Sequence, residues 1–300
     1  MKTILITGAT DGIGKQTALN IAQAGHSITI VGRNKEKCDQ TVDEFISQTK
    51  NENINYIQAD LSLISEVNRI SSHIKDNFSS LDVLINNVGA LFSKREETGE
   101  GFEKTFALNH LSSFALTLNL IDLLKESNHP RIVNVASDAH LNVVDKNTRI
   151  KRSFIESLFF KTNFDIDDIQ CKNNYKGGQQ YSKTKLMNIL FTYKLSRDYL
   201  SDTNITANCL HPGFVASKFG HNNGGFIKSF LKFGQALQAI SLIDGAVSST
   251  HLALSEKLEN ISGKYFDEYG NEKRSLELSY DEALQDSLWK QSKDLIDSIR

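Results

Sequence analysis

Tyr181 and Lys185 are the residues of this 300-residue chain whose types and spacing point most directly to chemistry. Four positions on a helix is slightly more than one turn, so both side chains project from one face. A phenol has an ordinary pKa of about 10 and is a poor base at neutral pH. A lysine ammonium held beside it favours the phenolate and makes the tyrosine a usable proton donor and acceptor. The same spacing arises by chance on amphipathic helices, so the pair alone does not establish a catalytic role. Residues 181–200, with Leu186, Ile189, Leu190, Tyr193 and Leu195 apolar, are expected to form the helix that carries them.

That helix needs a scaffold, and the start of the chain supplies one. Residues 2–7 are a short apolar run of the kind that forms a buried parallel strand. The run passes directly into Gly8-Ala-Thr-Asp-Gly12-Ile-Gly14, and a helical pattern follows over 15–24. Glycines between a strand and a helix let the backbone turn tightly against a pyrophosphate, whose charge meets the helix N-terminus. An ordinary Gly-rich turn is the alternative. A second strand, 27–31, ends at Gly32-Arg33-Asn34, with no carboxylate until Glu36. An acidic residue there would bond a ribose 2′-hydroxyl, whereas an arginine accommodates a 2′-phosphate, so NADP(H) is favoured. Arg33 as a plain surface charge is the alternative.

The alternation continues. A helix over 35–50, a strand over 53–58 and a helix over 63–78 lead to a strand over 81–85 that ends in Asn86-Asn-Val-Gly89. Strands and helices at this pitch imply right-handed βαβ units and a doubly wound parallel sheet, with ligands at the carboxyl ends of the strands. Asp60, Leu61 and Asn87 to Gly89 fall there, although asparagines also end strands simply by bonding their own backbone. A long apolar helix over 106–124 carries Asn109, which wants a partner if buried. A strand over 130–136 ends at Ser137, which can equally be a turn former.

With Gly8-x-x-x-Gly12-x-Gly14, Asn86-Asn-Val-Gly89, Asn109, Ser137 and Tyr181-x-x-x-Lys185 in order, the chain resembles the short-chain dehydrogenase/reductase superfamily from residue 2 nearly to its end. Asn109-His-Leu-Ser-Ser-Phe114, the eleven residues from Tyr181 to Phe191, His211-Pro-Gly-Phe-Val215 and Ser262-Gly-Lys-Tyr-Phe266 resemble its retinol dehydrogenase-like branch. The resemblance implies that Ser137 orients the substrate carbonyl and that Tyr181 passes a proton to its oxygen as hydride arrives from NADPH. Lys185 would bond the nicotinamide ribose and lower the tyrosine pKa, and Asn109 would hold the water linking Lys185 to solvent. Gly8, Thr10, Asp11, Gly12, Ile13 and Gly14 would form the pyrophosphate turn, with Arg33 and Asn34 beside the 2′-phosphate. Asp60 and Leu61 would meet the adenine, Asn87, Val88 and Gly89 the adenine ribose, and Pro212, Gly213, Val215 and Ser217 the nicotinamide.

Three departures from the family pattern stand out. Val88 replaces the usual alanine of Asn-Asn-Ala-Gly, and Ala136 replaces the first serine of a Ser-Ser pair. Ser137 and Tyr181 are also 44 positions apart, a longer spacing than is usual. The extra material, about 142–162, is basic and then apolar. It would overhang the substrate pocket, cover a surface used to dimerise, or simply pack as a surface helix. A Phe-rich segment over 218–243 is the expected substrate lid, with core packing or contact with a membrane surface as other readings. A helix over 245–254, a last strand over 263–266 and a C-terminal helix over 281–299 are expected to complete the fold.

Composition removes several classes. A net charge of −2 gives no electrostatic case for nucleic acid or an anionic membrane. The three cysteines have no metal spacing and fit a reducing compartment. The strand that begins within three residues leaves no room for a signal peptide, and no run of about 18 apolar residues occurs. The expectation is therefore a cytoplasmic α/β protein, residues 1–300 as one Rossmann domain with a doubly wound parallel sheet in three layers. It would be monomeric or homodimeric and bind NADP(H), with NAD(H) the weaker fit and no metal. Its substrate would be an apolar retinoid, lipid aldehyde or xenobiotic carbonyl. A non-catalytic NADP-binding sensor or scaffold is the rival reading, and the intact Ser137, Tyr181, Lys185 and Asn109 set argues against it.

Overall fold

The structure, a computed structural model, describes residues 1–146, 161–214 and 240–299. Most of the expected insertion and most of the expected lid, with Val215 and Ser217, lie outside the described residues. The apolar run at the start forms β1 (Thr3–Thr7), followed by α1 (Gly12–Gln23), β2 (Ser27–Gly32), α2 (Lys35–Thr49) and β3 (Ile54–Gln58). Next come α3 (Ile64–Asn77), β4 (Val83–Asn86), a helix that runs from α4 (Lys104–Phe106) through a π turn at Ala107–Leu111 into α5 (Ser112–Lys125), and β5 (Arg131–Val135). Short strands β6 (Val143–Asp145) and β7 (Thr162–Phe164) then precede α6 (Gly177–Lys194) and β8 (Thr206–Leu210). The described chain closes with α7 (Leu242–Gly245), α8 (Val247–Leu254), β9 (Tyr265–Phe266), β10 (Glu272–Lys273) and α9 (Glu282–Asp297).

The main sheet has the order β10-β9-β8-β5-β4-β1-β2-β3. All its pairings are parallel except β9 with β10. Alternation along each buried strand divides the core. Ile4, Ile6, Ile28 and Ile30 pack with Ala18 and Ile21 of α1 on one face. Leu5, Val31 and Ile57 pack with α3, α5 and α6 on the other. This is the period-2 pattern of strands covered by helices on both faces. The order reverses between β1 and β4, which places a switch point at Gly8 and Asn87.

Helix starts are set by side chains that satisfy free backbone N–H groups. Asp11 accepts from Gly12 N, and Asn34 accepts from Lys37 N at 2.8 Å. Glu100, far along the chain, accepts from Ile64 N and Ser65 N and so caps α3. Three expectations are corrected. The helix carrying Tyr181 begins a turn earlier, at Gly177, and passes into a π turn at Leu195–Tyr199. Its early start needs a glycine, because a Cβ at Gly177 would stand 2.1 Å from the Phe92 carbonyl oxygen. The helix expected over 245–254 is α8, which begins at Val247 and is preceded by the separate short α7, capped by Ser241, which accepts from Asp244 N. The last strand is only two residues long and turns back through Asp267–Asn271 into β10, which the apolar pattern did not signal.

The ends of the expected insertion are clasped. β6 and β7 pair in parallel, Val143 with Thr162 and Asp145 with Phe164. Asn163 Nδ2 also donates to the Asp145 carbonyl at 2.8 Å.

Candidate active site

The turn after β1 is shaped by the chain itself. Gly8 and Gly12 adopt positive φ, +69° and +58°, which residues with a Cβ reach only with strain. Asn87 Nδ2 donates to the carbonyls of Thr7 and Gly8, at 2.8 and 3.1 Å. The Thr7 hydroxyl accepts from the backbone N–H groups of Asn87 and Val88, both at 3.0 Å. A Cβ at Gly14 would lie 2.2 Å from Asn87 Nδ2, so the third glycine makes room for this brace. The result is a bare backbone turn at the N-terminus of a 12-residue helix. It fits the pyrophosphate of a dinucleotide, by backbone donors and helix dipole.

Around that turn the other cofactor candidates occupy the carboxyl ends of the strands. Thr10 packs its methyl toward Gly32, and Ile13 is half-buried on α1. Arg33 is exposed at the end of β2, beside the Asn34 cap of α2. Asp60 follows β3 and accepts from the backbone and hydroxyl of Ser62. The Leu61 side chain is buried in the core, so only its backbone is presented. Val88 packs against the same core, and Gly89 faces Lys185 Nζ and Asn109 Oδ1, 3.3 and 3.4 Å from where its Cβ would be. Pro212 and Gly213 follow β8, Gly213 with a φ of +74°.

Asn109 lies in the π turn, where the helical ladder opens by one residue. It is fully buried and its amide is paired, exchanging bonds with the Ala90 backbone at 2.8 and 2.9 Å and donating to Thr184 Oγ1 at 3.1 Å. Thr184 Oγ1 in turn donates to the Tyr181 carbonyl. Behind them, Asn86 Nδ2 donates to Asn134 Oδ1 and Asn134 Nδ2 to Thr192 Oγ1, a buried chain that ties β4 and β5 to α6. The asparagine that ends β4 thus helps set where the Tyr181 helix sits.

Ser137, Tyr181 and Lys185 meet at the end of β5. Ser137 Oγ accepts from Ala139 N at 3.2 Å as the cap of a 3-10 turn, Asp138–Asn142. The Tyr181 hydroxyl hydrogen-bonds the Ser137 side chain. Lys185 Nζ donates to the Val135 carbonyl at 2.8 Å and lies 5.6 Å from the centre of the Tyr181 ring. Burial pushes the phenol up to about 12, opposed by the Ser137 bond. Burial also brings the Lys185 ammonium down to about 8.

Sequence reasoning missed a ring of residues behind this site. His140 is fully buried and bonds the Ser137 carbonyl, and Tyr265 OH donates to Asp138 Oδ1 at 2.9 Å. His211 Nδ1 accepts from Gly213 N at 3.3 Å, while its Nε2 faces Asp138 and Glu268 at 3.4 and 3.3 Å. The nearness of His140 and His211 to Ser137 and Pro212 in sequence was the available signal. Among the described residues no group of three potential metal ligands converges.

Comparison with known proteins fits this geometry. The family model described as short chain dehydrogenase matches residues 2–148. Human retinol dehydrogenase 13 is 33% identical over 98% of this chain and 84% of its own length. Human polyprenol dehydrogenase is 31% identical over 97% of this chain and 84% of its own length. Among solved structures, an uncharacterised Mycobacterium paratuberculosis protein has a TM-score of 0.72 at 24% identity, covering 99% of this chain and 94% of that one. The Pseudomonas aeruginosa RhlG/NADP complex has a TM-score of 0.66 at 20% identity, covering 90% and 95%. These two likenesses show the fold. The chain belongs to the short-chain dehydrogenase/reductase superfamily, a class of oxidoreductases whose fold binds a nicotinamide cofactor. Within that class its relatives place it in the retinol dehydrogenase-like branch.

Proposed function

We propose that the chain is an NADP(H)-dependent oxidoreductase interconverting an alcohol and an aldehyde or ketone. The observation that carries this is the meeting of Ser137, Tyr181 and Lys185 beside the braced glycine turn. NADPH, when bound, supplies the hydride. Ser137 donates a hydrogen bond to the substrate carbonyl oxygen and orients it. Tyr181 gives its proton to that oxygen, and in the oxidising direction takes one from the alcohol. Lys185, with a pKa near 8, refills Tyr181 by way of water held at the π turn by Asn109.

Arg33 supports NADP(H) over NAD(H), because it is exposed at the end of β2 where an NAD site would carry a carboxylate. The RhlG complex with NADP agrees. An apolar substrate, such as a retinoid, a lipid aldehyde or a xenobiotic carbonyl, is supported by the names of the relatives, which are dehydrogenases of retinol and polyprenol. A cytoplasmic place of action belongs to the same reading and rests on three free, buried cysteines. No described helix is long and apolar enough to cross a membrane.

The test is cofactor oxidation followed by absorbance, with NADPH and NADH in parallel against retinal, medium-chain aldehydes, ketosteroids and quinones. Turnover with NADPH on one apolar class supports the proposal. Silence across the panel with NADPH binding intact by fluorescence favours the non-catalytic binder.

A further inference from the structure

His140 lies three residues past Ser137, on the 3-10 turn that Ser137 caps, and none of its surface is exposed. Its Nδ1 is 2.7 Å from the Ser137 carbonyl oxygen, and its Nε2 is 3.2 Å from the backbone nitrogen of Leu276. A carbonyl only accepts and a backbone N–H only donates. The partners therefore fix the neutral ring with its hydrogen on Nδ1. Burial, against the opposing Ser137 bond and Asp138 charge and with Lys273 and His211 adding to it, holds the ring down to about 4. It is uncharged across the working range.

The ring is wedged as well as bonded. It packs edge-on against Tyr265, centroids 5.1 Å apart at 70°, and the Tyr265 hydroxyl returns to Asp138, the residue next to Ser137. The Ser137 carbonyl is thus held by His140, and the following residue by Tyr265. The Ser137 hydroxyl accepts the Ala139 cap bond, which leaves its hydrogen and second lone pair for Tyr181 and substrate.

We propose that His140 is a positioning residue that fixes the Ser137 backbone so that its hydroxyl meets Tyr181 and the substrate oxygen. The inference rests on the roles proposed for Ser137 and Tyr181. A reacting group displaced by about 1 Å loses on the order of 10²-fold in rate, which sets the size of effect expected.

Asparagine and glutamine separate the two ends of the ring. Asn at 140 places an amide nitrogen near the Nδ1 position and keeps a donor for Ser137. Gln places its amide near Nε2 and keeps only the Leu276 side. The experiment measures kcat, KM and NADPH affinity by fluorescence for His140→Asn, His140→Gln and His140→Leu, each also combined with Ser137→Ala. Rates are expressed per NADPH-binding site, so unfolded protein does not count. His140→Gln and His140→Leu are expected to lose about 10²-fold in kcat with NADPH affinity within about threefold, and His140→Asn to recover at least about tenfold of it. In the Ser137→Ala background the same changes are expected to cost less than about threefold, since residues acting as one unit are not additive. Equal rates for the Asn and Gln variants, or losses that multiply in the Ser137→Ala background, overturn the positioning role. A Ser137→Ala enzyme with full activity removes the site reading itself, and the inference with it. A crippled Ser137→Ala beside a fully active His140→Leu removes the inference alone.

Discussion

Lys185 Nζ donates to the carbonyl of Val135, the last residue of β5, two positions before Ser137. The lysine is therefore moored to the sheet, with its ammonium over the Tyr181 ring, 5.6 Å from its centre. One carbonyl is a small compensation for taking a cation out of water, which is why burial brings it down to about 8.

The mooring has a stability signature. A lysine whose folded pKa is below its unfolded value destabilises the fold below about pH 8, where it is charged in both states, and that cost fades as pH rises toward 10.5. Lys185→Met should abolish turnover while raising Tm at pH 7, and the gain should shrink between pH 8 and 10.5. Scanning fluorimetry across that range checks it; a gain independent of pH would mean that something other than ionisation is responsible.

Tyr181→Phe removes only the hydroxyl that bonds Ser137. Turnover should fall by about 10²-fold or more, the scale of general acid–base catalysis, with NADPH affinity unchanged. Retained turnover would take Tyr181 out of its role.

Arg33→Glu exchanges an exposed cation at the end of β2 for the carboxylate of an NAD-type site. The ratio of kcat/KM for NADPH to that for NADH should fall by at least about tenfold, one charge-assisted contact contributing about 1.5–3 kcal/mol. A ratio that does not move would show that the 2′-phosphate is bound elsewhere.

Acid should loosen the fold through His110. It is fully buried among Phe106, Phe114 and Phe191, bonded to Ser292 of α9, and held down to about 3 by burial against an opposing Asn188 bond. Below about pH 6.5 the unfolded chain takes up a proton that the folded chain refuses, so stability falls as pH drops toward 3. The urea midpoint should decline over that window, and less steeply for His110→Leu. Parallel slopes for the two proteins would refute the assignment.

The glycine turn, the strand ends and the Tyr181–Lys185 pair were legible because each is a local demand: a backbone that must bend, a buried run, one helical turn. What was hidden depended on distant partners. Gly177 starts α6 because Phe92 lies across from it, and His140 finds Leu276 some 136 positions away. The amide of Asn87 directs its donors to Thr7 and Gly8, a brace visible only once β1 and β4 are side by side. The phenol's rise to about 12 likewise depends on burial, which spacing cannot report.

β10 has one further consequence. A parallel sheet that ended at β8 or β9 would present a row of unpaired backbone groups to any other chain. Here the boundary strand is two residues long, runs antiparallel, and consists of the exposed pair Glu272 and Lys273, with Glu272 bridged to Lys264 at 3.0 Å. Short, charged boundaries of this kind resist strand addition. A second molecule approaching this side finds a brief rung guarded by both signs of charge, so fibrillar growth has no template there.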